Sequence, residues 1–196
     1  MGKNIIVFDI ETKNAFSDVG GRDNFKKLGI SVLGAYDYQK KDFIIYEESE
    51  LGKFSERLQE KPLLVGFNSR RFDVPILQEY VPFSLSKHPQ LDIMEELVKV
   101  LGHRVSLDSV AQATLGTSKS GSGLDAIRYY RDGMMDELKK YCLDDVRITR
   151  DIFEYAANKG ELFFTSKYGP GKRRAGVSWK IAHPEELEPD PQQSLF

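Results

Sequence analysis

A single cysteine in 196 residues, Cys142, excludes an intrachain disulfide and any cage in which several thiolates hold zinc. Such a chain reads as a protein of a reducing compartment, and the expectation is a cytoplasmic one. Long apolar runs are missing as well. No stretch approaches the roughly eighteen consecutive apolar residues of a membrane-spanning helix, so no membrane partner is expected. Met1-Gly2-Lys3-Asn4 leads straight into an apolar strand with no small-residue cleavage site behind it, which argues against a secretory leader. Ile6 stands where N-myristoylation wants Ser or Thr. An excess of one charge is lacking too: 28 Lys and Arg face 30 Asp and Glu, for a net charge of −2. No overall positive field announces a polyanionic partner, so contact with nucleic acid has to come from local basic clusters or from bound metal ions. There is no internal repeat.

What the chain does have is length and 40% hydrophobic residues, enough for one domain with a sizeable core. Its first apolar run, Ile5 to Thr12, reads as a strand. Ile30 to Tyr38 and Asp42 to Tyr46, separated by Gln39-Lys40-Lys41, read as a hairpin that completes an antiparallel trio. Between the first strand and the hairpin, Lys13 to Asp23 is a loop with Gly20-Gly21 as its turn signal. Leu51, Phe54 and Leu58 recur at helical spacing, and Pro62 stops that helix. Leu63 to Phe67 has the form of an interior strand, and Phe72 to Leu77 opens another helix. Leu91-Asp92-Ile93 gives a fifth short strand, with a helix over Met94 to Leu101. Ser106 caps the next helix and Gly116 ends it. Leu124 to Asn158 reads as two helices, the second long and amphipathic and closed by Gly160. A hairpin over Phe163 to Ile181 turns at Gly169-Pro170-Gly171. Residues 1–182 form the expected domain, and 183–196 a flexible tail.

Asp9 and Glu11 stand two apart on the first strand, so both project from the same face. Two readings are open for them. They could be the end of a strand running out into solvent, or a pair that needs a hard divalent cation because unpaired carboxylates are costly to bury. Asp73 follows the end of an apolar strand and opens a helix, the usual place for ligands in open α/β sheets. Asp145 lies four residues after Tyr141 on the long helix, so their side chains share a face. On geometry alone Asp144 competes with Asp145. Asp92 and Asp108 read as a strand-end residue and a first-turn charge of a helix.

In order along the chain, Phe8-Asp9-Ile10-Glu11-Thr12, Asn68-Ser69-Arg70-Arg71-Phe72-Asp73 and Tyr141-Cys142-Leu143-Asp144-Asp145-Val146 resemble the three exonuclease motifs of the DEDD superfamily. The Tyr-x-x-x-Asp spacing is that of its tyrosine branch. The histidine branch has a His five residues before the last Asp, where this chain has Lys140. The wording is most similar to stand-alone relatives of the proofreading domain of family B DNA polymerases, over roughly residues 4 to 155. The resemblance implies a ribonuclease H-like α/β fold with a mixed five-stranded sheet flanked by helices; two-sided burial of the first strand fits a central place in it.

The activity that the resemblance implies is metal-dependent 3′-5′ exonuclease cleavage of single-stranded DNA ends, releasing nucleoside 5′-monophosphates in DNA repair or replication. Two divalent ions, Mg²⁺ or Mn²⁺, would be held by Asp9, Glu11, Asp73 and Asp145, with Asp9 shared between them. The family spacing selects Asp145 over Asp144. Tyr141 would orient the attacking water, since a phenol is a poor general base near neutrality. Asn68 reads either as a substrate contact or as a turn residue. Lys119, on the stretch 117 to 123, and Arg173, in the basic cluster at 172 to 174, are candidate strand contacts or simply solvated charges. The final Gln192-Gln193-Ser194-Leu195-Phe196 resembles the peptide by which many bacterial proteins dock on the replication sliding clamp, with Gln192, Leu195 and Phe196 filling the contacts. Two other readings stand beside this one: an RNA-trimming enzyme of the RNase D kind, and a non-catalytic module that binds nucleic acid or the clamp.

Overall fold

The structure, a computed structural model, describes residues 4–118, 121–165 and 171–179. Lys119, the Gly169-Pro170 turn, the 183–196 tail and its clamp-like residues Gln192, Leu195 and Phe196 lie outside them.

The chain runs through β1 (Ile5–Thr12), β2 (Ile30–Asp37), β3 (Asp42–Glu47), α1 (Leu51–Leu58), β4 (Leu63–Gly66) and α2 (Asp73–Leu77). It continues through β5 (Gln90–Asp92), α3 (Ile93–Leu101), α4 (Leu107–Leu115), α5 (Gly123–Arg131) and α6 (Met135–Lys159), and on to the hairpin β6 (Glu161–Thr165) and β7 (Lys172–Gly176). Five strands form one sheet in the order β3-β2-β1-β4-β5. The first three pair antiparallel, while β1 with β4 and β4 with β5 pair parallel. The expected mixed five-stranded sheet with β1 at its centre is therefore the one observed. Among the described residues no helix is long and apolar enough to cross a membrane.

Why β1 reads as almost continuously apolar is explained by the two cores it serves. Ile5 and Val7 point to one face and join Val110, Val146, Ile152 and Phe153 of α4 and α6. Ile6, Phe8 and Ile10 point to the other and join Phe54, Leu58 and Ile76 of α1 and α2. Phe8, Phe54 and Phe153 are fully buried, each contributing about 1.5–3 kcal/mol of transfer free energy. Asp9 and Glu11 thus share the odd-numbered face, the one that α6 covers. A buried ion pair of Arg57 on α1 with Asp37 on β2, Nε to Oδ2 2.8 Å, ties the opposite helix layer to the sheet.

Two differences from the sequence reading are local. Strand β5 and helix α3 each begin one residue earlier than expected, because Asp92 closes the strand and caps the helix at once. The expected hairpin over Phe163 to Ile181 starts at Glu161 and has ended as a strand by Gly176. Its register pairs Leu162 with Ala175, both buried against the main core, and the Val177 amide donates to the Gly160 carbonyl just beyond the paired residues.

Candidate active site

The carboxyl ends of the three parallel strands carry the polar residues of interest: Asp9 and Glu11 on β1, Asn68 just after β4, and Asp92 at the end of β5. Strand β1 runs on past Val7, its last residue paired with β4. In that overhang the Ile10 amide donates to Asp73 Oδ1 at 3.1 Å, so the first residue of α2 is fixed between Asp9 and Glu11. Phe72, one residue earlier, packs edge-on against Phe16 and Phe25, which brings the long β1–β2 connection over this helix start.

From the other side comes α6. Asp9 lies opposite Gly34 in the β1–β2 ladder. A Cβ at Gly34 would come within 2.9 Å of Cys142 Sγ and 3.0 Å of Val146 Cγ2, so the glycine lets α6 approach the sheet closely. Cys142 Sγ is 3.7 Å from the Asp9 carbonyl oxygen. One ligand atom each from Asp9, Glu11 and Cys142 lie within 4.8 Å of one another. Burial first, then the negative charges of Asp9, Glu11 and Asp145, push the Cys142 thiol well above its ordinary range. Asp145 acts on that thiol from one turn further along α6. A thiol held neutral is a poor metal ligand, and the donors that remain are carboxylate oxygens, the set that suits a hard divalent cation. Glu11, Asp73, Asp145 and Tyr141 are all buried, while Asp9 is part-exposed. Tyr141, one helical turn before Asp145, has Gly121 against its ring, where a Cβ would sit 3.4 Å from Cε2.

Beside Asp9 opens a cleft of about 910 Å³ whose walls include Phe67, Asn68, Met94, Arg104, Asp108 and Gln112. Asn68 has a left-handed backbone, φ 65°. Its amide donates to Asp92 Oδ1 at 2.8 Å, and its side-chain oxygen accepts from Arg104 Nη2 at 2.7 Å. Asp92 also accepts from the amides of Arg70, Met94 and Glu95. One carboxylate therefore joins the turn before Asp73 to the start of α3.

The structure sets Asp9 and Glu11 together on β1 and holds Asp73 on the Ile10 amide between them. Asp145 and Tyr141 lie buried on α6 to either side of Cys142, which touches Asp9, and Asn68 is on the wall of the adjacent cleft. Arg173 is exposed on β7, opposite Phe164 in register, and does not line the cleft. Asp108 is in the first turn of α4, as its position suggested, and also faces the cleft. Sequence reasoning missed three features. Asp92 is far more than a strand-end residue; its place just before an apolar-periodic helix was the available signal for a cap. Cys142 abuts Asp9, which its helical position next to Tyr141 could have suggested. Arg104 left no signal, because its partner Asn68 is 36 residues away.

A family model described as RNase_H superfamily matches residues 6–157. No curated protein sequence matches the chain. Among solved structures, it is similar to Trypanosoma brucei RNase D, with a TM-score of 0.55 at 19% identity over 78% of this chain and 57% of that one. It is similar also to the same enzyme in complex with RNA U12, with a TM-score of 0.53 at 19% identity over 78% of this chain and 55% of that one. The chain thus spans a little over half the length of these structures. At that identity the likeness speaks to the fold, and the ribonuclease H-like architecture expected from the motifs is the one found.

Proposed function

The chain belongs to the RNase_H superfamily, and from that footing we propose that it is a metal-dependent 3′-5′ exonuclease of the tyrosine branch of the DEDD nucleases. Its substrate in this reading is the 3′ end of single-stranded DNA, and its products are nucleoside 5′-monophosphates. The observation that carries the proposal is the pairing of Asp9 and Glu11 on the overhanging end of the central strand, with Asp73 held on the Ile10 amide between them and α6, which carries Asp145, packed on Asp9 through Cys142.

Asp9, Glu11, Asp73 and Asp145 would hold two divalent ions, Mg²⁺ or Mn²⁺. When bound, the ions supply hydroxide at neutral pH and neutralise charge on the leaving oxygen. The chain's own residues set the geometry. The Ile10 amide fixes Asp73. Tyr141, buried on α6 beside Asp145, offers a hydroxyl that orients the attacking water and leaves proton removal to other groups. Asn68 faces the strand from the cleft wall.

DNA comes first because the chain's last five residues resemble a sliding-clamp peptide, which fits a role in repair or replication through docking by Gln192, Leu195 and Phe196. RNA is the second reading, favoured by the likeness to a structure described with RNA U12. A silent binding module fits less well, since each motif keeps its acidic residue.

The test is release of label from 3′-labelled single-stranded DNA and RNA, with Mg²⁺, Mn²⁺ or EDTA, by wild type and Asp9→Ala. Wild type should release label only with metal. Asp9→Ala should lose at least the roughly 10–100-fold that even changes outside the ligand set cost at metal sites. Release that ignores either EDTA or the substitution would sink the proposal.

A further inference from the structure

A single strand carries a negative charge on every phosphate, yet two carboxylates, those of Asp9 and Asp108, are among the residues that line the cleft. Divalent ions would offset Asp9 on the nuclease reading, and along the rest of the cleft a fixed cation is the natural partner for a phosphate. Among the described residues lining the cleft, Arg104 is the permanently charged one. Three other basic side chains of the described residues are engaged away from the cleft. Arg70 and Arg71 lie 3.7 and 3.9 Å from Glu95, and Lys13 pairs with Glu48, on residues that do not line the cleft.

Arg104 is exposed on the loop that follows the Gly102 cap of α3. One of the five guanidinium N–H groups is spent on Asn68 Oδ1 at 2.7 Å. The Asn68 backbone is itself held in a left-handed conformation, its N–H donating a hydrogen bond to the carboxylate of buried Asp92. Asn68 therefore orients the guanidinium through one N–H, and the remaining donors keep the fork geometry that matches phosphate oxygens.

We propose that Arg104, oriented by Asn68, is a phosphate clamp of this cleft, gripping one backbone phosphate of a single strand whatever the base and whichever the sugar. The proposal rests on the nuclease reading for its substrate class, but its test reads binding directly.

Fluorescein-labelled oligo-dT, oligo-dA and oligo-rU are titrated with the full chain in Ca²⁺, by anisotropy, across a series of salt concentrations. Arg104→Gln should weaken binding of all three by about tenfold or more at low salt. It should also lower the slope of log K against log salt by about 0.7, the share of one phosphate on a single strand. Arg104→Lys keeps the charge and loses the fork, so the slope should stay while part of the affinity goes. Asn68→Ala should likewise weaken binding at unchanged slope, because it removes the orientation and not the charge. An unchanged affinity or slope in Arg104→Gln, or a loss confined to one base or one sugar, would overturn the clamp. The two proposals fail separately. Wild type that binds with the Arg104-dependent slope but releases no label with Mg²⁺ or Mn²⁺ upholds the clamp and removes the exonuclease. Wild type that releases label while Arg104→Gln keeps the wild-type slope removes only the clamp.

Discussion

Four backbone amides, those of Asn68, Arg70, Met94 and Glu95, converge on the one carboxylate of Asp92, which is almost fully buried. Hydrogen bonds to a buried charge are the strong kind, and removing the acceptor leaves donors without compensation. Asp92→Ala should therefore cost at least about 3 kcal/mol in urea unfolding. Asp92→Asn, which keeps one acceptor oxygen, should cost less and still impair label release. A fully stable Asp92→Ala would show that the turn is held by something else. Asp9 and Glu11 were legible as a pair because they stand two apart on a strand, and Asp145 as a partner of Tyr141 because they stand four apart on a helix, though the choice of Asp145 over Asp144 came only with the resemblance. The cap at Asp92 had a local signal, but its bonds to the Asn68 and Arg70 amides, and that of Arg104 to Asn68, are decided by which strands end beside one another, which no local pattern records.

Between elements, the spacing of α6 from the sheet depends on Gly34. A methyl group there would push into Cys142 Sγ at 2.9 Å and Val146 Cγ2 at 3.0 Å. Gly34→Ala should destabilise the protein by about 1–3 kcal/mol, the usual cost of overpacking. Adding Cys142→Ala to it should recover part of that loss by vacating the sulfur's volume. Thermal unfolding of the two single variants and the double variant checks this, and a double variant no better than Gly34→Ala would place the strain elsewhere. Most element boundaries were legible from caps and stops such as Ser106, Gly116 and Gly160, where the physics is local. The β6–β7 hairpin was not, since its extent is set by Leu162, Phe164 and Ala175 docking on a core built from distant residues.

For the molecule as a whole, the antiparallel trio and the central place of β1 were legible from the hairpin and from the two-sided burial of that strand, while the mixed five-stranded sheet came with the resemblance. The docking peptide belongs to this scale as well, since it would tether the entire domain. Deleting residues 192–196 should abolish binding to an immobilised replication sliding clamp in surface plasmon resonance, and binding that persists would remove the docking proposal. The cluster's own carboxylates come from β1, α2 and α6, from residue 9 to residue 145. Chains leave the ribosome N-terminus first, so Asp9, Glu11 and Asp73 emerge well before Asp145. On the RNA reading of its substrate, a growing chain surrounded by messenger RNA is unarmed until α6 has been made and has closed over β1.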